Sequence, residues 1–98
     1  MEDRYLDEQI ATMFNVQQLH YSTSMDAIWW LIEKMISCTK VVTITDDDNM
    51  AAHCKITVFP NGLGDEKQLV FSHWAETMPL AMCGAIVEYY NWMRDYDE

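Results

Sequence analysis

Positive charge is scarce in this sequence: six Lys and Arg stand against sixteen Asp and Glu, a formal net charge of −10 over 98 residues. A protein that coats nucleic-acid phosphates or an anionic bilayer by charge presents a net positive face, so neither is expected as a direct partner. No apolar run approaches the roughly 18 residues of a membrane span, and the acidic start lacks the basic and apolar regions of a signal peptide. A cytoplasmic protein is expected. Cysteine is also sparse. Cys38, Cys54 and Cys83 are odd in number and free of any CxxC pairing, which fits small buried thiols in a reducing compartment better than a disulfide framework. With three Gly and two Pro, no flexible linker divides the chain.

Motifs of catalysis are missing too. There is no glycine-rich phosphate loop, nucleophile elbow or HExxH. His53 and Cys54 are adjacent on an expected strand, so their side chains point to opposite faces and cannot jointly bind one zinc without distortion. Cys38, His73 and Cys83 have no ligand spacing and would meet only by coincidence of folding. Asp46 to Asp48 with Asn49 lack the alternation and the glycine of an EF-hand loop. No catalytic, cofactor-binding or metal-ligating residue is assigned, no cofactor is implied, and a non-enzymatic role is expected.

What the chain has is apolar and aromatic substance: half its residues are hydrophobic and 12% aromatic, enough for one core and far from the composition of an acidic disordered tail. Leu6, Ile10, Met13 and Phe14 recur at helical spacing behind the acidic residues Glu2, Asp3, Asp7 and Glu8, which predicts a short amphipathic helix over 2–14. The hydroxyls of Tyr21 to Ser24 are candidate caps for a second helix over 24–37, whose apolar stripe is Met25, Ile28, Trp29, Ile32, Met35 and Ile36. Three strands follow over 40–45, 52–59 and 68–74, rich in Val, Ile, Thr and aromatics. Asp46 to Asn49 make the first turn and Pro60, Asn61 and Gly62 the second, both short enough for antiparallel pairing. Alternation sets Cys54, Ile56 and Val58 on one face of the middle strand and His53, Lys55, Thr57 and Phe59 on the other, as in a sheet buried mainly on one side. A last helix over 77–94 carries Pro79 in its first turn and a stripe of Leu80, Cys83, Ile86, Val87 and Tyr90.

The expected fold is therefore α+β: a single small domain over 1–98, with an N-terminal helix and connector over 1–20, an α-β-β-β-α core over 21–94 and an acidic tail over 95–98. The double-stranded-RNA-binding domain shares the core's order of elements, but it needs lysines at the start of its last helix to reach phosphates. Here that place reads Glu76, Thr77, Met78, Pro79, and RNA binding is rejected.

Tyr21-Ser22-Thr23 with Trp29 six residues after the Thr, then Glu33-Lys34, resembles the first signature of the phage ABA sandwich domain, a family of small proteins of tailed phages and prophages. Ala75-Glu76-Thr77 followed by Pro79-Leu80-Ala81 and Cys83 is similar to the second. The resemblance covers 21–90. It implies a layered α/β fold and a phage origin, and no established reaction, cofactor or ligand. Trp30 and Gly84 depart from it, standing where relatives commonly carry a charged residue and an arginine.

Two surface features remain. Trp30 lies off its helix's apolar stripe among Asp26, Glu33, Lys34 and Ser37, and Trp92 lies off the last stripe beside Ala81, Ala85 and Glu88. Both are expected to be largely exposed, and an exposed tryptophan is a candidate anchor for a protein partner; the alternative is that the first helix folds over one of these rings. Ala81, Gly84 and Ala85 beside Trp92 offer a flat face for a homo-oligomer. Twelve of the sixteen acids fall in four clusters: Glu2, Asp3, Asp7 and Glu8; Asp46, Asp47 and Asp48; Asp65 and Glu66; Asp95, Asp97 and Glu98. The second cluster shares an end of the sheet with two helix starts, which negative charge offsets. The third and fourth share the opposite end, where the last helix's dipole disfavours them; they are either solvated turn and tail residues or a docking pole. The leading expectation is a phage accessory protein of the host cytoplasm that binds and inhibits a host protein. An anti-CRISPR or other anti-defence inhibitor on a basic nucleic-acid-binding surface fits, with Trp30, Trp92 and these acids in contact. A nucleotide-signal binder or a structural accessory protein is the alternative.

Overall fold

The computed structural model describes residues 4–37, 39–47, 51–60, 62 and 67–96, and for 46, 47, 95 and 96 the backbone alone. The elements come in the expected order: helices α1 (Arg4–Phe14) and α2 (Met25–Met35), strands β1 (Thr39–Asp47), β2 (Ala51–Phe59) and β3 (Leu69–Ala75), then helix α3 (Met78–Tyr96). This is a small α+β domain with helices packed on a three-stranded antiparallel sheet.

Local chemistry explains the boundaries. Ser24 leaves the helical region and its hydroxyl accepts from the Ala27 N–H at 3.2 Å, the N-cap bond that starts α2. Thr77 contributes its carbonyl to the Ala81 N–H at the head of α3. The Gly62 N–H closes a turn on the Phe59 carbonyl at 3.1 Å, with Gly62 at φ +90°, a value that glycine reaches without strain. β1 runs further than its turn-like acids imply: Asp46 and Asp47 continue the ladder opposite Ala52 and Ala51. The expected turn at Asp46 is corrected to strand, because each register position keeps its partner to the last residue of β1.

The core lies between the sheet and the helices. Ala52, Cys54, Ile56 and Val58 of β2 and Phe71 of β3 are buried against Ile28, Leu31 and Ile32 of α2 and Ala81, Met82, Cys83, Ala85 and Ile86 of α3. Here the expected stripe of α3 is corrected. Leu80, Val87 and Tyr90 are half-buried, while Ala81, Ala85 and Tyr89 are buried. α3 packs on β3 and β2 along one side and on α2 and α1 along another. A helix enclosed in this way is apolar nearly all round, so a single stripe misplaces its inner face. Alanines and Gly84 on the sheet side let the helix come close to the strands. The face offered for self-association is thus interior.

Candidate interaction surfaces

Pairing register decides which side chains leave the sheet on its helix-free side. His53 is level with Thr45 and Trp74, Lys55 with Thr43 and Ser72, and Thr57 with Val41 and Val70. These nine positions alternate with the core positions and share the opposite face. No helix packs on that face among the described residues. Its apolar members are open: Val41 and Val70 are each 48% exposed and Trp74 57%. The Trp74 ring stacks on the His53 imidazole with centroids 4.5 Å apart and planes 28° from parallel, so one side of the indole is braced and the rest faces solvent. A large aromatic held in place is what a protein interface uses as an anchor; Val41 and Val70 lie two rows away on the same face, beyond the polar row of Thr43, Lys55 and Ser72.

Trp30 is on the surface, as its position off the stripe predicts. It is 40% exposed, and the Lys34 ammonium sits 4.8 Å above its ring, a helical i, i+4 cation–π pair. Beside it lies a shallow hollow lined by Leu19, His20, Ser24 and Asp26. Trp92 behaves otherwise, and its expected exposure is corrected. It is half-buried, tilted against Phe71 of β3 at 6.0 Å and Tyr89 of its own helix at 6.2 Å. The sheet, which the helix's sequence does not reveal, covers the ring.

The acidic candidates are mostly beyond view. Asp48, Asp65, Glu66, Asp97 and Glu98 lie outside the described residues, and of Asp46, Asp47 and Asp95 the backbone alone is described. The register does put Asp46 in one row with Ala52 and Ala75, two residues before Thr77, so that acidic strand end and the start of α3 share an end of the sheet. Asp7 is a correction: counted among surface acids, it is 1% exposed, and its Oδ1 accepts the Ser22 N–H at 2.7 Å.

The buried polar chemistry serves packing. The Tyr21 hydroxyl donates to the Gln17 carbonyl, and the Cys83 thiol donates to the Tyr21 carbonyl at 3.3 Å. Burial first, then the neighbouring Asp7 and Cys83, holds the Tyr21 phenol above its ordinary pKa. Burial pushes the Cys54 thiol up to about 11, so it stays a protonated, inert thiol. His53 and Cys54 do leave β2 on opposite faces, one stacked on Trp74 and one in the core. Among the described residues no three His, Cys, Asp or Glu converge as metal ligands; Cys38 lies outside them.

Sequence reasoning missed Val41, Val70 and Trp74. The signal was available: the alternation read for β2, carried across the register to both neighbours, marks all three. No family model, curated protein or solved structure matches this chain.

Proposed function

We propose that this chain is a non-enzymatic accessory protein that acts by occupying the surface of a partner protein, with the open face of its sheet as the contact and Trp74 as the anchor. The observation that carries the reading is that face: exposed Val41, Val70 and Trp74 on a chain of net charge −10. Exposed apolar side chains at both ends of one open face favour desolvated contact, and the acidic field selects what arrives at it. The partner is then a protein with a basic surface, of the kind that binds nucleic acid, and occupying that surface inhibits it. The sequence resemblance to phage proteins supports a host protein as the target and an anti-defence role; Trp30, on the helical side of the domain, is a second and separate candidate contact.

The test uses the heparin-retained fraction of a bacterial lysate, which concentrates proteins with basic nucleic-acid-binding surfaces. The immobilised full chain should retain a discrete protein at low salt, release it to excess duplex DNA or to rising salt, and lose it on Trp74→Ala. Retention of nothing, or of a protein indifferent to DNA and to Trp74→Ala, would remove the reading. Loss on Trp30→Ala alone would move the contact to the hollow beside α2.

A further inference from the structure

β1 is an outer strand of the sheet, and of the devices that blunt a free edge its nine residues carry only charge, at Lys40, Asp46 and Asp47. It pairs with β2 one-to-one from Thr39 opposite Phe59 to Asp47 opposite Ala51, with no bulge. It has no proline, and Thr, Val and Ile fill six of the nine positions. Natural sheets shorten, bend, charge or cover such edges, because a row of unpaired N–H and C=O groups templates another strand. Among the described residues no strand lies on that side of β1. Val41 and Ile44, from opposite faces of the strand, are 48% and 43% exposed.

The order of residues in β1 says what fits there. Two copies of one strand pair antiparallel about a two-fold axis perpendicular to the sheet, which sets one residue opposite its own copy. With the axis at Thr43, the middle of Thr39–Asp47, every residue of the strand finds a partner. Lys40 then stands opposite Asp46 of the second copy, Val41 opposite Thr45, and Val42 opposite Ile44. Moving the axis to Val42 puts Lys40 opposite Ile44, and moving it to Ile44 puts Asp46 opposite Val42; both pair fewer residues. The centred register alone is complementary in charge, twice over, and it also covers Ile44 with the half-buried Val42. The Lys40 ammonium donates to the Ile36 carbonyl at 2.9 Å, which leaves two donors for a carboxylate.

We propose that this chain dimerises through β1, antiparallel and centred on Thr43, into one continuous six-stranded sheet. The two-fold axis keeps both helical layers on one side and joins the two open faces on the other. The proposal does not depend on the partner argued above, since it rests on the edge and not on the face.

Sedimentation equilibrium of the full chain over micromolar concentrations tests it, with far-UV circular dichroism confirming that each variant is folded. Wild type should give twice the chain mass of 11.5 kDa. K40E and D46K each turn two attractive cross-strand pairs into repulsive ones and should weaken the dimer about tenfold or more. An equimolar mixture of K40E and D46K should recover it, because each mixed dimer again carries two opposite-charge pairs; the K40E/D46K double variant should recover it alone. A monomer at every concentration, or a dimer of unchanged strength in both single variants, overturns the proposal. So does a dimer lost on Trp74→Ala and kept in K40E, which would place the contact on the open face.

Discussion

The imidazole of His73 occupies the space in which a Cβ on Gly84 would stand. His73 faces Cys54 across the β2–β3 ladder and reaches Glu88 of α3, with Nδ1 3.9 Å from Oε1. α3 therefore lies over β3 at a distance set by one missing side chain, and the ring fills the gap. Gly84→Ala should destabilise the wild type even though alanine favours a helix by about 1 kcal/mol, because the ring must swing out to admit the methyl group. With His73→Ala already present the clash is gone and the sign should invert, Gly84→Ala then stabilising by about 0.5–1 kcal/mol. Urea denaturation of the four proteins measures the cycle; additive effects would show that the two residues do not meet.

That pairing illustrates how far the sequence could be read. Elements, their order and the two faces of β2 followed from periods of 3.6 and 2, from Ser24 and from the turn at Gly62, since these are local devices; the cross-strand register did not. The inner face of α3 did not follow. Val87 and Tyr90 look like core and Ala81 and Ala85 look like surface until it is known that the helix has neighbours on several sides and that small residues mark the closest approach. Trp92 was misread for the same reason. Asp7 was hidden because a carboxylate in a first helical turn has a sufficient explanation in the dipole, and its partner, Ser22, is fifteen residues away.

Asp7 supplies the next expectation. It ties α1 to the loop before α2 by accepting a buried backbone N–H, and Ser22 is itself 1% exposed. Asp7→Ala should cost about 1–3 kcal/mol, the penalty of leaving a buried donor without that acceptor. The neighbouring negative charge also helps to hold the Tyr21 phenol up, so Asp7→Asn should lower the Tyr21 midpoint toward the ordinary tyrosine value. Ultraviolet absorbance titration at alkaline pH reads the shift; an unmoved or raised midpoint would contradict the electrostatic coupling.

Cys54 makes stability depend on pH in a defined window. Burial raises its thiol from 9.0 to about 11, so between those values the unfolded chain has released a proton that the folded chain still holds. The unfolded state binds fewer protons there, and stability must fall as pH rises. The contribution is complete below about pH 9 and lost through pH 11, on the order of 2 kcal/mol. Tyr21, also raised, works in the same direction at higher pH. Urea midpoints across this range should fall more steeply for wild type than for Cys54→Ala; equal slopes would mean that the thiol titrates alike in both states.

The two tryptophans that look equivalent in sequence should separate on truncation. Trp92 is half-buried and closes an aromatic group in which Phe71 also meets Tyr89 edge to face at 5.6 Å. Removing it opens a gap between β3 and α3 that the strand and the close-packed helix cannot collapse to fill, and Trp92→Ala should cost about 2–4 kcal/mol. Trp30 loses a surface stack with Lys34 and little packing, so Trp30→Ala should cost less than about 1 kcal/mol. Urea denaturation of the two variants decides between the placements. Equal costs would return Trp92 to the surface, and with it the reading that both rings are free to meet a partner; unequal costs leave Trp30 and Trp74 as the tryptophans on which binding can be tested without disturbing the fold.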